Sequence, residues 1–453
     1  MLLQDLKPEQ VYQALHSLVL FQGIKQDEVF QRFAKIIKQV AEGETNSAVQ
    51  LLGEYHNFLG MLLEKTATGS LPMVGNPWQD YLLNLILFDD NLLAREAVDS
   101  REISPFLQQA CLHDLSHLQI LYLHGLSCLT KISHNLPGAF KLPDTMSSTS
   151  HKHFVHPAGE QILDLKQQFL ASLDWRDQYP SLLHFYRSCG FGQFALYRAF
   201  RFEAVSGGYQ LKGITQPDPI RLHQLIGYER QRKQVLDNTE RLLQGRPALN
   251  LLLYGDRGTG KSSTVKALLN EYGNRGLRLV QVPRGNLEGL QELTGYLSSL
   301  PLKFIIFIDD LSFEEAETDY KEFKTQLEGS LERPAANLCI YVTSNQRNLI
   351  KEFFGERENR LLDNGEVHAG DTMQEKLSLA DRFGLKITFL SPDKEAYLKI
   401  VRELARQENI TIDTAYLEKL ALRWTLWHNE RSGRTARQFI DHLKDRDNLE
   451  ELS

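Results

Sequence analysis

The sequence predicts an α/β protein: a five-stranded parallel sheet covered on both faces, preceded by a helical region and followed by a small helical unit. Three observations carry this. Short apolar runs at Leu249 to Tyr254, Leu277 to Val282, Phe304 to Ile308, Leu338 to Thr343 and Leu385 to Phe389 alternate with helical stretches, the pattern of parallel strands buried on both faces. The first run leads into a glycine-rich loop, Gly255 to Ser262, and the third ends in two carboxylates, Asp309 and Asp310.

A chain of 453 residues is long enough for about three structural units. We expect a helical N-terminal domain over 1–200, with an internal linker near 131–157 where Pro137-Gly138, Pro143 and Ser147 to Ser150 break the periodicity. An α/β core follows over 201–390, then a helical lid over 391–453. The N-terminal helices are read from spacings such as Val11, Leu15 and Leu18. The aromatic and glycine-rich stretch from Cys189 to Gly213 reads as the junction between domains. Ser391-Pro392 reads as a helix start, Ser391 as its N-cap.

Hydrophobic residues at 42% and charged residues at 24% exclude wholesale disorder. The net charge is −7, and residues 1–200 carry 15 basic against 20 acidic side chains, so neither part has the basic excess of a strong nucleic-acid binder. Nucleic acid is not indicated, although a local basic patch would be compatible with this balance. Met1 to Pro8 lacks a basic region followed by a long apolar run, and the longest apolar stretches fall well short of the roughly 20 residues that span a bilayer. A cytoplasmic protein without membrane association is expected. The widely spaced Cys111, Cys128, Cys189 and Cys339 are expected to be reduced.

Gly255-Asp256-Arg257-Gly258-Thr259-Gly260-Lys261-Ser262 matches G-x-x-x-x-G-K-[ST] between a strand and a helix, which defines a phosphate loop of the P-loop NTPases. Its glycines let successive backbone N–H groups, on through Ser263, point at a phosphate chain. Lys261 would neutralise the β and γ phosphates of ATP, and Ser262 would hold Mg²⁺. Phe304 to Asp310 supplies the acidic strand that such a loop needs: Asp309 for the metal shell and Asp310 facing the attacking water. Asn345, at the end of the Leu338 run, is placed to orient water against the γ phosphate or to cap a following helix.

With these motifs in order, the chain from Leu225 onward resembles the AAA+ ATPases. Leu225-Ile226-Gly227-Tyr228 resembles their adenine-pocket segment, which implies base contacts at Ile226 and Gly227. Leu379-Ala380-Asp381-Arg382-Phe383-Gly384 resembles the motif whose arginine reaches a neighbouring subunit's γ phosphate. Ser432 to Phe439 resembles sensor 2, at the start of a helix in the lid. More narrowly, the phosphate loop, Asp309-Asp310-Leu311-Ser312-Phe313-Glu314 and Ser432-Gly433-Arg434-Thr435-Ala436-Arg437-Gln438-Phe439 look like domain-of-unknown-function family 815, a group of bacterial AAA+ ATPases without an assigned client. This likeness is most specific over about 205–445.

One departure bears on mechanism. AAA+ proteins usually place Glu after the Walker B Asp, whereas here Asp310 is a methylene shorter, which predicts slow hydrolysis. Glu314 is the alternative water-activating residue, and its bland role is a helix-start acid. Arg382 is the candidate trans-acting arginine, against a surface ion pair, and its trans role implies a homo-oligomer. Arg434 and Arg437 lie three apart on one helix face, so one of them reaches phosphate while the other pairs with an acid; Arg437 is preferred for phosphate.

Together these features predict a Mg-dependent ATPase that couples hydrolysis to remodelling of an unidentified protein client. The alternatives are a slowly hydrolysing ATP-gated switch and a DNA-associated loader. His113 and His117, with Cys111 nearby, have helical spacing but lack the remaining features of a metal motif. The His151, His153 and His156 cluster lies in the expected linker, and Trp424 with Trp427 reads as lid core.

Overall fold

The computed structural model describes residues 7–42, 48–67, 71–99, 102–135, 137–141, 158–313, 323, 327, 335–345, 379–428 and 430–444. The chain forms two compact units, Met1–Tyr197 and Arg198–Ser453.

The first unit is helical among the described residues: α1 (Pro8–His16), α2 (Glu28–Glu42), α3 (Ala48–Ala67), α4 (Pro77–Leu87), α5 (Leu92–Asp99), α6 (Pro105–Asn135), α7 (Gly159–Ala171), α8 (Tyr179–Cys189) and α9 (Gly192–Leu196). Helix α4 starts where Asn76 accepts from the Gln79 amide at 3.0 Å, with Pro77 in the first turn, a reciprocal cap that satisfies otherwise orphaned N–H groups. Trp78 on α4 packs against Phe33 and Phe58 at the core. Two buried polar contacts fix loops to helices. Asp114 on α6 accepts from the amides of Val19, Leu20 and Phe21, and Lys166 on α7 donates to Pro72 O at 2.7 Å and Asp80 at 2.8 Å. Burial holds the Lys166 ammonium below the ordinary lysine range despite that carboxylate. His113 lies 3.0 Å from Ser17 O, and among the described residues no cluster of three or more His, Cys, Asp or Glu is arranged to hold a metal. All four cysteines are buried thiols. Helix α6 continues through Lys131 to Asn135, past the expected start of the linker. The rest of that segment from 142, with His151, His153 and His156, lies outside the described residues.

The second unit is built on a seven-stranded sheet in the order β2-β1-β4-β5-β6-β3-β7. The elements are β1 (Ala199–Val205), β2 (Gly208–Ile214), α10 (Glu229–Leu243), β3 (Leu251–Gly255), α11 (Lys261–Tyr272), β4 (Leu277–Gln281), α12 (Leu290–Ser298), β5 (Lys303–Ile308), β6 (Leu338–Ser344) and β7 (Leu385–Phe389). The five expected strands are present, each boundary within two residues of its expected place, and all pair in parallel. Two more strands correct the expected count. The stretch read as a domain junction is an antiparallel hairpin, β1 and β2, turned by Ser206-Gly207 and joined in parallel to β4. Its residues alternate buried and exposed at Phe200, Arg201 and Phe202, as befits strands near a sheet edge, and so form no continuous apolar run. Strand β3 is held at its start by Asn238 on α10, which donates to Leu249 O at 2.8 Å and accepts from Leu249 N at 3.0 Å.

Helices α13 (Lys394–Gln407), α14 (Thr414–His428) and α15 (Gly433–Lys444) form a separate apolar cluster around Val401, Leu404, Leu420, Ala436 and Phe439. Trp424 packs against it, but Trp427 is 69% exposed, so the expected pair of core tryptophans reduces to one. Helix α13 begins two residues later than expected. Its N-cap is Asp393, which accepts from the Ala396 amide at 2.8 Å, and the Ser391 amide is engaged elsewhere.

Candidate functional site

The C-terminal ends of β3, β5 and β6 lie side by side, and the groups that the sequence singles out converge there. The loop after β3 needs glycine for steric reasons. Gly255 has φ +131°, and a Cβ on it would sit 2.1 Å from Phe389 O of β7. Gly260 has φ +89° and precedes α11, whose N-terminal N–H groups open into the loop, an arrangement that attracts anions. Thr259 braces the loop by donating to Asp256 O at 2.8 Å.

Lys261 is buried, and its ammonium donates to Gly255 O at 2.8 Å, Asp256 O at 2.6 Å and Asn345 Oδ1 at 3.3 Å. Burial holds its pKa below the ordinary lysine range, outweighing Asp256, Asp310 and Asp309 nearby; Arg434 adds to the depression. Ser262 Oγ donates to Asp309 Oδ1 at 2.5 Å, and Thr343 Oγ1 donates to the same oxygen at 2.6 Å. Thr343 Oγ1 also accepts from the Asp310 amide at 2.9 Å. Asp310 adopts a left-handed backbone, φ 53°, which costs a non-glycine residue roughly 1 kcal/mol or more. Its carboxylate accepts from the Asn345 side-chain amide, so Asn345 bridges Lys261 and Asp310.

An open cleft of about 900 Å³ extends from this cluster. At one end it is lined by Gly258, Lys261, Ser262, Ser263, Asp309 and Asp310, and at the other by Ile226, Tyr228, Ile400, Leu404 and Glu408. Arg257 lines it as well, exposed to solvent. Gly227, φ +79°, packs beside Ile400, and its carbonyl accepts from Arg232. Asp256 turns outward and accepts from the Ser391 amide at 2.6 Å, a bond that holds its carboxyl below the usual carboxylate range.

The two sensor 2 candidates separate. Arg434 donates its amide to Gly258 O at 3.1 Å, and its side chain acts electrostatically on Lys261. Arg437, the preferred residue, also lines the cleft and is ion-paired with Glu408 at 2.7 Å, and Lys444 contacts the same carboxylate. The helix spacing put both arginines on one face, but the acid that takes one of them comes from the end of α13, which only the tertiary structure reveals. Arg382 is exposed, in the turn before β7. It precedes the N-terminal end of β7, which pairs in parallel with β3, so it lies at the end of the strands opposite the phosphate loop and does not line the cleft. Glu314 lies outside the described residues. Thr343 and Glu408 were not singled out by sequence, and Ser391 was read only as a helix cap; the one available signal was a threonine directly before Ser344-Asn345 in an otherwise apolar strand.

A phosphate loop between β3 and α11, with β6 set between it and the acidic strand β5, defines a P-loop NTPase fold of the AAA+ type. The model of the family described as "Protein of unknown function (DUF815)" matches residues 195–447, more than half of the chain, and the chain belongs to that family. Among solved structures, the chain is similar to the Thermotoga maritima RuvB Holliday junction branch migration motor, at 16% identity and TM-score 0.35 over 52% of this chain and 70% of that one. It is also similar to the replication initiator DnaA bound to AMPPCP and single-stranded DNA, at 20% identity and TM-score 0.36 over 52% of this chain and 67% of that one. AMPPCP-bound DnaA from Aquifex aeolicus stands at 19% identity and TM-score 0.35 over 50% and 66%. For one RuvB mutant the covered share is 65%, under two thirds of its length. No curated protein matches the chain. No helix among the described residues is long and apolar enough to cross a membrane.

Proposed function

We propose that this protein binds and hydrolyses Mg-ATP in the cleft between the sheet and the α13–α15 cluster, and that this cluster acts as its lid. The observation that carries the reading is the network joining Lys261, Ser262, Asp309, Asp310 and Asn345 at the N-terminus of α11. The lysine, the helix N-terminus and the loop amides from Arg257 to Ser263 suit a phosphate chain, and the apolar end at Ile226, Ile400 and Leu404 suits a base. Ser262 and Asp309 present hard oxygen donors against one another, a set that fits Mg²⁺. The metal would supply charge neutralisation on the phosphate oxygens. Lys261 would exchange its carbonyl partners for phosphate oxygens, Asp310 and Asn345 would position the water, and Arg434 would add positive charge at the γ phosphate.

Arg382 would act on the cleft of a second copy, making the active form a homo-oligomer, and lid movement would be passed to an unidentified protein client. A second reading, an ATP-gated binding switch, is favoured by Asp310 itself: its short side chain is tied to Asn345 in a strained backbone conformation, which predicts slow turnover. Steady-state ATP hydrolysis across a protein concentration series, with Arg382→Ala alongside, separates the two. Rising specific activity, abolished in the variant while ATP still binds, supports shared catalysis. Activity that is absent, or that is independent of both concentration and Arg382, leaves the switch.

A further inference from the structure

The phosphate loop touches the α13–α15 cluster at two places, and one of them lies outside the cleft. The segment from Phe389 to Ser391 leaves β7 and leads through Pro392 to the Asp393 cap of α13. Phe389 is anchored in the sheet core, but Leu390 is 64% exposed and Ser391 is exposed, so packing does little to hold the last two residues. Hydrogen bonds hold it instead. The Asp256 amide donates to Phe389 O at 2.9 Å, the Ser391 amide donates to the Asp256 carboxylate at 2.6 Å, and the Tyr228 hydroxyl donates to Leu390 O at 2.6 Å. Both Asp256, from the loop, and Tyr228, from the apolar end of the cleft, thus grip the same three residues.

We infer that Ser391 is a positioning residue: through Asp256 it transmits the state of the phosphate loop to α13 and sets the placement of the lid. This rests on the nucleotide reading given above. The carbonyls that hold Lys261 are those of Gly255 and Asp256, the very peptides that abut and grip the segment. When Lys261 turns to a phosphate, those peptides lose their ammonium partner and are free to readjust. The readjustment passes to Ser391 because Gly255 leaves no room against Phe389 O for slack. Helix α13 then carries Ile400, Leu404 and Glu408 with it, and the Glu408 pair with Arg437 carries α15. A hinge of a few residues at an element terminus is where such motion is absorbed.

The test uses the full chain, Mg²⁺ and a non-hydrolysable ATP analogue, with amide hydrogen exchange read over 394–444. Ser391→Pro removes the donated N–H; Ser391→Ala keeps it and removes only the hydroxyl, which also hydrogen-bonds Asp256, and so isolates the part played by the N–H. In the parent and Ser391→Ala, the analogue is expected to slow exchange in these helices by about tenfold or more. In Ser391→Pro, analogue affinity stays within about threefold while the slowing falls below about twofold. In turnover, kcat falls with little change in KM. A Ser391→Pro protein that retains the parent's nucleotide-dependent slowing overturns the inference. So does one whose helices exchange fast with and without nucleotide, because Ser391 is then merely structural. If Ser391→Pro fails to fold, Tyr228→Phe decides: a diminished response supports the coupling, and an unchanged one sinks it. A parent that binds no analogue overturns the nucleotide reading itself.

Discussion

The amide of Arg434 donates to the carbonyl of Gly258 at 3.1 Å, seating the first turn of α15 on the tip of the phosphate loop. The contact leaves no space. Gly258 has φ +70°, and a Cβ there would lie 2.6 Å from Ser432 Oγ and 3.1 Å from Arg434 Cβ. Gly258→Ala therefore combines a left-handed backbone cost of about 1–2 kcal/mol with displacement of α15. We expect nucleotide affinity to fall by about tenfold or more, measured by titration with a fluorescent ATP analogue. Unchanged affinity would show that the loop and α15 are independent.

Arg434 and Arg437 should differ in their effects on catalysis. Arg434 lies in the field of Lys261, so Arg434→Ala is expected to lower kcat by about a hundredfold, the scale of losing one charge-stabilising donor. Arg437 is held by Glu408, both side chains being partly exposed, a kind of pair worth about 0–1 kcal/mol. Arg437→Ala should cost less than about tenfold in kcat, together with a small loss of stability. Single-turnover rates for the two variants check the order; a larger defect in Arg437→Ala would reverse the assignment.

Thr343 is the support on which both aspartates rest. Its hydroxyl donates to Asp309 and accepts from the Asp310 amide, and it is 1% exposed. Thr343→Val keeps the shape of the side chain but leaves a backbone N–H and one carboxylate oxygen short of a partner. A cost of about 1–3 kcal/mol in unfolding free energy is expected, with a drop in kcat as Asp309 loses its fixed orientation. Thr343→Ser should restore both. Denaturant melts and turnover assays on the pair provide the check, and equal behaviour of Val and Ser would remove the role.

The central sheet and the phosphate loop were legible because each rests on local chemistry: a doubly buried strand must be apolar along its length, and Gly255 to Ser262 has few other uses. The β1–β2 hairpin escaped notice because Phe200-Arg201-Phe202 alternates, a weaker signal than a continuous run. The pairing of Arg437 with Glu408, 29 residues away in sequence, is a contact that no spacing rule could supply. Ser391 was read as a cap from its residue type. Asp393, a better acceptor two residues on, took the cap and left the Ser391 amide for Asp256.

In the first unit, Asp89 provides a pH-dependent test of stability. Its carboxylate is 6% exposed, accepts from Asn91 Nδ2 at 2.8 Å and packs against Gly23 so closely that a Cβ there would meet it at 2.3 Å. Burial, with smaller contributions from Asp90 and Asp114, raises its pKa from 3.8 to about 6. A carboxyl whose pKa is higher in the folded state takes up a proton on folding. The resulting stabilisation is therefore fully present below the unfolded value and is lost as pH rises through about 6. Above that, the parent must keep a buried charge. Asp89→Asn retains an acceptor for Asn91 without the charge, so at pH 7.5 it should be more stable than the parent by roughly 2 kcal/mol. Near pH 4 the parent is protonated in the folded state and the difference should shrink toward zero. Urea unfolding of parent and variant at the two pH values measures this directly, and a stability difference that does not change with pH would show that Asp89 does not titrate in this range.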